Sequence, residues 1–306
     1  MARGKQITKQ ITKNTSECLE LFLKHCQTKN LSKPTLKTYR LECNSFNEWY
    51  GEEQSIYDVS AETIEEYISF LQEKEISQTY IATKIRQLRA FLYFCMEREY
   101  LKRFSIKIPK ADEVIKEPYT QAELEKLIRK PKNNNWVEWR NWAMVNYFLS
   151  TGNRLATVVN IKIQDIDFYT NLIKLTTLKN RKQQYIPMSS GLKDVLKTYL
   201  DLWEHTDNDY LFPEYEGKQL STGGAQWAIR KYNVSRGVTK TSIHLFRHTY
   251  AKHYILAGGE ATYLQRLLGH STLAMTNHYI NLYSTDLQTN YDKFNPLDNL
   301  ARAIIE

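Results

Sequence analysis

Cysteine is scarce in this chain, with four in 306 residues, and Cys18, Cys26, Cys43 and Cys95 all fall in the first third without CxxC spacing. That pattern excludes a disulfide scaffold and reads as buried thiols in a reducing compartment, so a cytoplasmic location is expected. No stretch approaches the roughly 18 uninterrupted apolar residues of a membrane-spanning helix. The basic N-terminus, MARGKQITKQITKNT, has no apolar run behind it, which argues against a secretory signal. Internal repeats and low-complexity tracts are absent. His244 and His248, four apart, lack the glutamate of an HExxH motif and have no cysteine near them, so no metal site is expected.

What is present fits a folded, two-domain chain. Hydrophobic residues make up 42%, aromatics 12% and charged residues 25%. This is enough apolar surface for a real core and excludes disorder as the dominant state. Lysine and arginine outnumber aspartate and glutamate by 42 to 34, a net charge of +8. The excess favours a polyanion as partner, and without an apolar anchor that partner is nucleic acid rather than membrane.

The first hundred residues read as four helices. The first covers about Thr15 to Lys29. Ser32 caps the second, and Pro34 lies in its first turn, where a missing N–H costs little. Leu36, Tyr39, Cys43, Phe46 and Tyr50 step by three and four along it, which defines one buried face. The third follows Ser60 with Ile64, Ile68 and Leu71. The fourth follows Ser77 with Ile81, Ile85, Leu88, Leu92 and Cys95. Charge is uneven across this bundle: residues 1–40 hold nine basic groups against two acidic, residues 41–75 one against ten, and residues 76–117 nine against five. Lys33, Lys37 and Arg40 share a face of the second helix, and Arg86 and Arg89 a face of the fourth. These are either solvated helix faces or phosphate contacts, with the acidic third helix turned away.

A proline-containing stretch of weak periodicity follows. The expected divisions are a basic tail at 1–13, a helical domain at 14–104, a linker at 105–117, a second domain at 118–283 and a tail at 284–306. Thr120 and Glu123 form a capping box that opens the second domain. A long apolar helix, roughly Trp136 to Leu149, ends at Ser150-Thr151-Gly152-Asn153. Strands are expected at Gln164–Phe168, Leu172–Thr177 and Gln184–Met188, the last two joined by the lysine-rich turn LKNRKQ. From Ser189 helices dominate. The predicted class is mainly α with one small three-stranded antiparallel sheet.

Four segments of the second domain need a joint explanation. STGNRLATVV puts Arg154 after a glycine turn at a helix start. LKNRKQQYIPM puts Lys179 at the near end of a hairpin whose far strand ends at Pro187. SIHLFRHTYAKHY sets His244 and Arg247 three apart, on one helix face. LLGHSTLAMTNHYI carries His270 and, nine residues on, Tyr279. Two arginines, a lysine, two histidines and a tyrosine suit attack on a phosphodiester without a metal. Guanidinium forks match the non-bridging oxygens and neutralise charge building on phosphorus. A tyrosine hydroxyl, with an ordinary pKa of about 10, needs nearby cations and a base in order to ionise. The leaving oxygen needs a proton, which a lysine can deliver.

TGNR, the lysine hairpin ending in IP, HLFRHTYA and LGHSTLAMTNHY resemble, in order and spacing, the signature boxes of the tyrosine recombinases, the phage integrase family. The resemblance runs from about residue 14 to 283 and implies a SAM-like four-helix core-binding bundle followed by a catalytic domain. It implies that Tyr279 attacks the scissile phosphate to give a 3′-phosphotyrosyl link. Arg154 and Arg247 hold that phosphate, Lys179 is the general acid, His244 assists proton transfer and His270 donates a hydrogen bond to the phosphate. Arg181 and Lys182, on the same turn as Lys179, are candidate DNA contacts. No metal, nucleotide or other cofactor is implied. Two positions depart from the pattern: Thr157 stands where many relatives carry an acidic residue, and Gln184 where an arginine often lies.

The resemblance further implies duplex DNA with inverted-repeat core sites as partner, and a homotetramer that exchanges strands through a Holliday junction. The expected setting is the nucleoid of a bacterium, with the gene borne by the host, a phage or a mobile element. Only about 13 residues precede the first helix, fewer than the arm-binding domain of some phage integrases needs, so a simple Xer-like or transposon type is expected. After Pro296, Leu297, Leu300 and Ile304 form an apolar stripe expected to dock on a neighbouring subunit rather than on its own domain. A nicking and resealing topoisomerase, or a clamp that binds DNA without cutting it, remain open as alternatives.

Overall fold

Each helix of the first hundred residues begins where a side chain can satisfy a backbone N–H that the helix leaves unpaired. The computed structural model of the chain describes residues 13–111, 117–176 and 183–277. Within them α1 (Thr15–Thr28) opens with a capping box in which the Asn14 side chain accepts from the Glu17 amide and Glu17 from the Asn14 amide. Ser32, Ser60 and Ser77 cap α2 (Lys33–Tyr50), α3 (Ala61–Gln72) and α4 (Gln78–Glu97). Each such cap is worth about 1 kcal/mol, so four of them fix the ends of the bundle's helices. A short 3-10 turn, Ile56–Asp58, was not expected; three residues are too few for periodicity to register.

The chain divides into two compact units between residues 115 and 116. In the first, the apolar stripes of the four helices close on a core that includes Leu19, Phe22, Cys43, Phe46, Ile81, Ile85, Leu92 and Cys95. All four cysteines are buried free thiols. Ile106, from the stretch expected to be a linker, is buried against this core, with Phe104 and Ile108 packed beside it. One charged pair is also enclosed: the Lys84 ammonium meets the Glu42 carboxylate, with side chains 9% and 6% exposed. Tyr80 Oη donates to the other Glu42 oxygen at 3.3 Å.

In the second unit Thr120 and Glu123 form the expected capping box of α5 (Gln121–Ile128). The apolar α6 (Trp136–Thr151) is central to this unit, and α8 (Ser190–Leu200), α9 (Thr222–Ser235) and α10 (Ile243–Leu256) all pack on it. Between α6 and α8 lie the one-turn α7 (Leu155–Val158) and the sheet, whose strands β1 (Ile166–Asp167), β2 (Leu172–Leu175) and β3 (Gln184–Pro187) pair antiparallel in that order. Ile173 stands opposite both Ile166 and Ile186, and this face is buried in the core. The first strand is shorter than the predicted Gln164–Phe168, because Ile163–Asp165 turn as a 3-10 helix and Asp165 Oδ2 accepts from the Lys162 amide. The second and third strands end at Leu175 and Pro187. The unit continues through α11 (Ala261–Leu268) and the short α12 (Leu273–Asn277). The fold is mainly α with a small three-stranded antiparallel sheet. Among the described residues no helix is long and apolar enough to cross a membrane.

Candidate active site

Gly152 ends α6 in the left-handed conformation, φ +61°. A Cβ here would lie 2.6 Å from Tyr250 Cδ1 and 2.8 Å from Leu268 Cδ2, so the position needs glycine for both conformation and space. The turn delivers Arg154 to the start of α7. Asn153 is buried and donates to Tyr147 Oη at 3.0 Å, which anchors the turn to α6.

Helix α10 supplies the second arginine. Phe246 enters the core against Tyr119 and Phe148, and the Thr249 hydroxyl accepts from the Tyr119 amide. With those residues anchored, His244 and Arg247 occupy another face, the histidine exposed and the arginine 2% exposed. Arg247 Nη1 donates to Gly152 O and Nη2 to Leu268 O, both at 2.8 Å. Arg154 Nη1 reaches the same Leu268 carbonyl at 3.4 Å. Two guanidiniums, 93 positions apart in sequence, therefore converge on the C-terminal carbonyl of α11. That carbonyl is presented because Gly269 turns left-handed (φ +61°) and closes the helix with its amide on Arg266 O.

His270 follows that glycine and is 6% exposed. Arg247 Nη2 lies 2.6 Å from His270 Nε2, and His270 Nδ1 lies 2.8 Å from the hydroxyl of Thr276, a fully buried residue. A guanidinium can only donate, so Nε2 is here an acceptor. Burial, then the charges of Arg247 and Arg154 and the nearby His244, push the His270 pKa down to about 4 from an ordinary 6.5. The ring is neutral at neutral pH.

Arg154, His244 and Arg247 line one cleft of about 610 Å³. Its other wall is α9, which contributes Gln226, Trp227 and Arg230. Trp227 is 65% exposed, with the Lys231 ammonium 5.2 Å from its ring centroid. Sequence reasoning missed this wall, although the Trp227-Arg230 spacing on a helix was a signal for it. It also missed Thr276 and the two carbonyls, which carry no side-chain signature. Gln184, one of the two departures from the pattern, donates from Nε2 to Arg266 O at 2.5 Å and so ties β3 to the end of α11. Thr157 is buried in α7. His244 and His248 meet edge to face with centroids 4.9 Å apart. No group of three or more potential metal-ligating side chains occurs among the described residues.

Lys179, Arg181, Lys182, Tyr279 and the tail expected at 284–306 lie outside the described residues. In the first unit Lys33, Lys37 and Arg86 are exposed. Arg89 is half-buried with its guanidinium 5.9 Å from the Tyr93 ring centroid. Arg40 is exposed and forks onto both carboxylate oxygens of Glu20.

The sequence profile of the phage integrase family matches residues 118–285, and that of the phage integrase N-terminal SAM-like domain matches residues 19–99. The chain belongs to the phage integrase family. Among integrases and recombinases similar to it is tyrosine recombinase XerC of Staphylococcus aureus (strain USA300 / TCH1516). The two are 25% identical over 276 residues, which cover 88% of this chain and 92% of XerC. The crystal structure of XerA recombinase is similar over 92% of this chain and 99% of that one, at 26% identity and a TM-score of 0.52. The Tn1549 transposon integrase, solved with a circular intermediate DNA, shares the fold at 19% identity and a TM-score of 0.73, over 90% of this chain and 99% of that one.

Proposed function

We propose that this integrase-family protein is a site-specific DNA recombinase that breaks and rejoins strands through a covalent link to Tyr279. The observation that carries the reading is the convergence of Arg154 and Arg247 on one carbonyl, at a cleft whose rim presents His244. Preorganised forks at one point are what a phosphoryl group gathering negative charge requires. In the proposed step Tyr279 Oη bonds to phosphorus while the bond from phosphorus to the 5′ oxygen breaks. His244 assists removal of the phenolic proton, and Lys179 protonates the leaving 5′ oxygen. The reverse step, with a 5′-hydroxyl from another strand as nucleophile, restores the phosphodiester and frees the tyrosine. Bond energy is conserved in the link, so the cycle calls for neither a metal ion nor ATP.

The wall of exposed aromatic and basic groups on α9 suits a nucleic acid running past the cleft. Lys33, Lys37, Arg40, Arg86 and Arg89 in the first unit, and Arg181 and Lys182 in the second, are assigned to phosphate contacts. The exposed Arg40–Glu20 pair is worth at most about 1 kcal/mol, so exchange of that carboxylate for a phosphate costs little. We assign duplex DNA with inverted-repeat core sites as substrate and a tetramer as the acting form, joined by the tail at 284–306 and passing through a Holliday junction. The domains are assigned as read from sequence, except that the first extends through Ile108, with residues 118–283 catalytic. The setting is a bacterial cytoplasm.

A plasmid carrying two core sites tests the reading. Recombinant circles support it. Relaxed topoisomers without recombinants indicate a nicking and resealing enzyme, and a retarded but uncut plasmid indicates a binding protein. Recombination that stops in EDTA contradicts the metal-free mechanism.

A further inference from the structure

Glu42 on α2 and Lys84 on α4 are buried against each other in the first unit, and both are held further. The Lys84 ammonium also reaches Ser45 Oγ at 3.3 Å, and Ser45 Oγ lies 3.2 Å from Tyr67 Oη on α3. Tyr80, one turn before Lys84, donates to the second Glu42 oxygen. One polar network therefore ties three helices together. Such a pair is a poor stabiliser, because burial strips both ions of water and apolar side chains of similar volume often serve as well. What it supplies is direction. The apolar ridges of two helices can interlock in neighbouring registers, but an ammonium, a hydroxyl and a carboxylate bond in one only. A slip of α4 by one residue would shift it by about 1.5 Å and turn it by about 100°, which takes Lys84 away from Glu42.

We propose that Glu42 and Lys84 are positioning residues that fix the register of α4 against α2, and so set the separation at which basic groups of the two helices meet duplex phosphates. Glu42 lies two residues from Arg40, and Lys84 two from Arg86. Residues at that spacing do not share a helix face, so the pair acts on those arginines through the helices that carry them. Arg40 and Arg86 are exposed, whereas Glu42 and Lys84 are buried. The inference rests on the phosphate contacts proposed above for α2 and α4, but the register itself can be measured without DNA.

The test uses the full chain with Glu42→Leu and Lys84→Met combined, which removes both charges without leaving one unpaired. Glu42→Gln with Lys84→Met replaces it if that variant does not fold. Fluorescence anisotropy with a mixed-sequence DNA duplex over a salt series reads the phosphate contacts, and 1H–15N spectra of the free protein read the packing of α4. The double variant is expected to unfold cooperatively yet show doubled or shifted α4 amide signals. Its slope of log K against log salt is expected to fall by about 1 to 2, as Arg86 and Arg89 lose their phosphates. The charge-swapped variant, Glu42→Lys with Lys84→Glu, should restore both readouts. A double variant that leaves either readout at its wild-type value overturns the proposal. A lowered slope with unchanged amide signals would instead mark Lys84 as a direct DNA contact. A swapped variant that behaves like the apolar one also overturns it. If the wild type does not bind the duplex, the recombinase reading fails and the spectra alone decide the register.

Discussion

Arg247 donates to His270 across 2.6 Å, and burial of that ring, reinforced by the charge of Arg247, keeps a histidine in a cationic site neutral. The depressed pKa makes stability depend on pH with a definite sign. Between about 6.5 and about 4 the unfolded chain binds a proton at this ring and the folded chain does not. Stability should therefore fall as the pH drops through that window, with no further loss from this group below it. Denaturant unfolding at pH 7, 5.5 and 4.5 should show a steeper decline in the wild type than in His270→Gln. Equal declines would contradict the assignment.

Gly152→Ala combines backbone strain with a collision against Tyr250 and Leu268. We expect a loss of about 1–3 kcal/mol and a fall in cleavage of roughly 100-fold, because Gly152 and Leu268 supply carbonyl acceptors to Arg247. Gly217→Ala is the control. Its φ is +79°, but a Cβ there meets nothing within 4 Å, so it bears the strain without the collision. Similar stability and activity in the two variants would remove the steric argument.

Lys84→Met leaves Glu42 buried without its ion partner, and such a loss costs about 3–5 kcal/mol. The double variant Glu42→Leu with Lys84→Met should recover most of it. Thermal unfolding of the wild type, the two single variants and the double variant measures this; additive losses would show that the pair is not coupled.

How far the sequence could be read depended on which group does the work. Helix starts at Ser32, Ser60, Ser77 and Thr120 were legible because a capping side chain is a local signal. The turn at Gly152 was legible because a glycine after an apolar helix is a local stop signal, and the structure brings Arg154, His244, Arg247 and His270 together. The partners of those groups were not legible. Leu268 acts through its carbonyl, which every residue has, and only the left-handed Gly269 aims it. Thr276 carried no signal of its own within LGHSTLAMTNHY. Its contact with His270 emerged only in the fold, as a hydrogen bond to a ring whose other nitrogen faces Arg247. The cleft wall on α9 was hidden because Gln226, Trp227 and Arg230 become site residues only when the tertiary fold sets α9 beside α10.

That wall gives a graded prediction. Arg230→Ala should weaken DNA binding and lower the slope of log K against log salt by about 1, as loss of one phosphate contact does. Trp227→Ala should weaken binding with the salt slope unchanged, because an indole carries no charge. Fluorescence anisotropy over a salt series separates the two. Wild-type affinity in both variants would place the DNA elsewhere.

The central claim is that one phenolic oxygen carries the broken strand. Mass spectrometry of peptides from protein trapped on a nicked substrate, in which the released fragment diffuses away, tests it most directly. The account predicts an oligonucleotide joined through its 3′ phosphate to the peptide containing Tyr279, and no adduct in Tyr279→Phe. An adduct on Tyr283 or another residue, or cleaved DNA with no adduct at all, would contradict it.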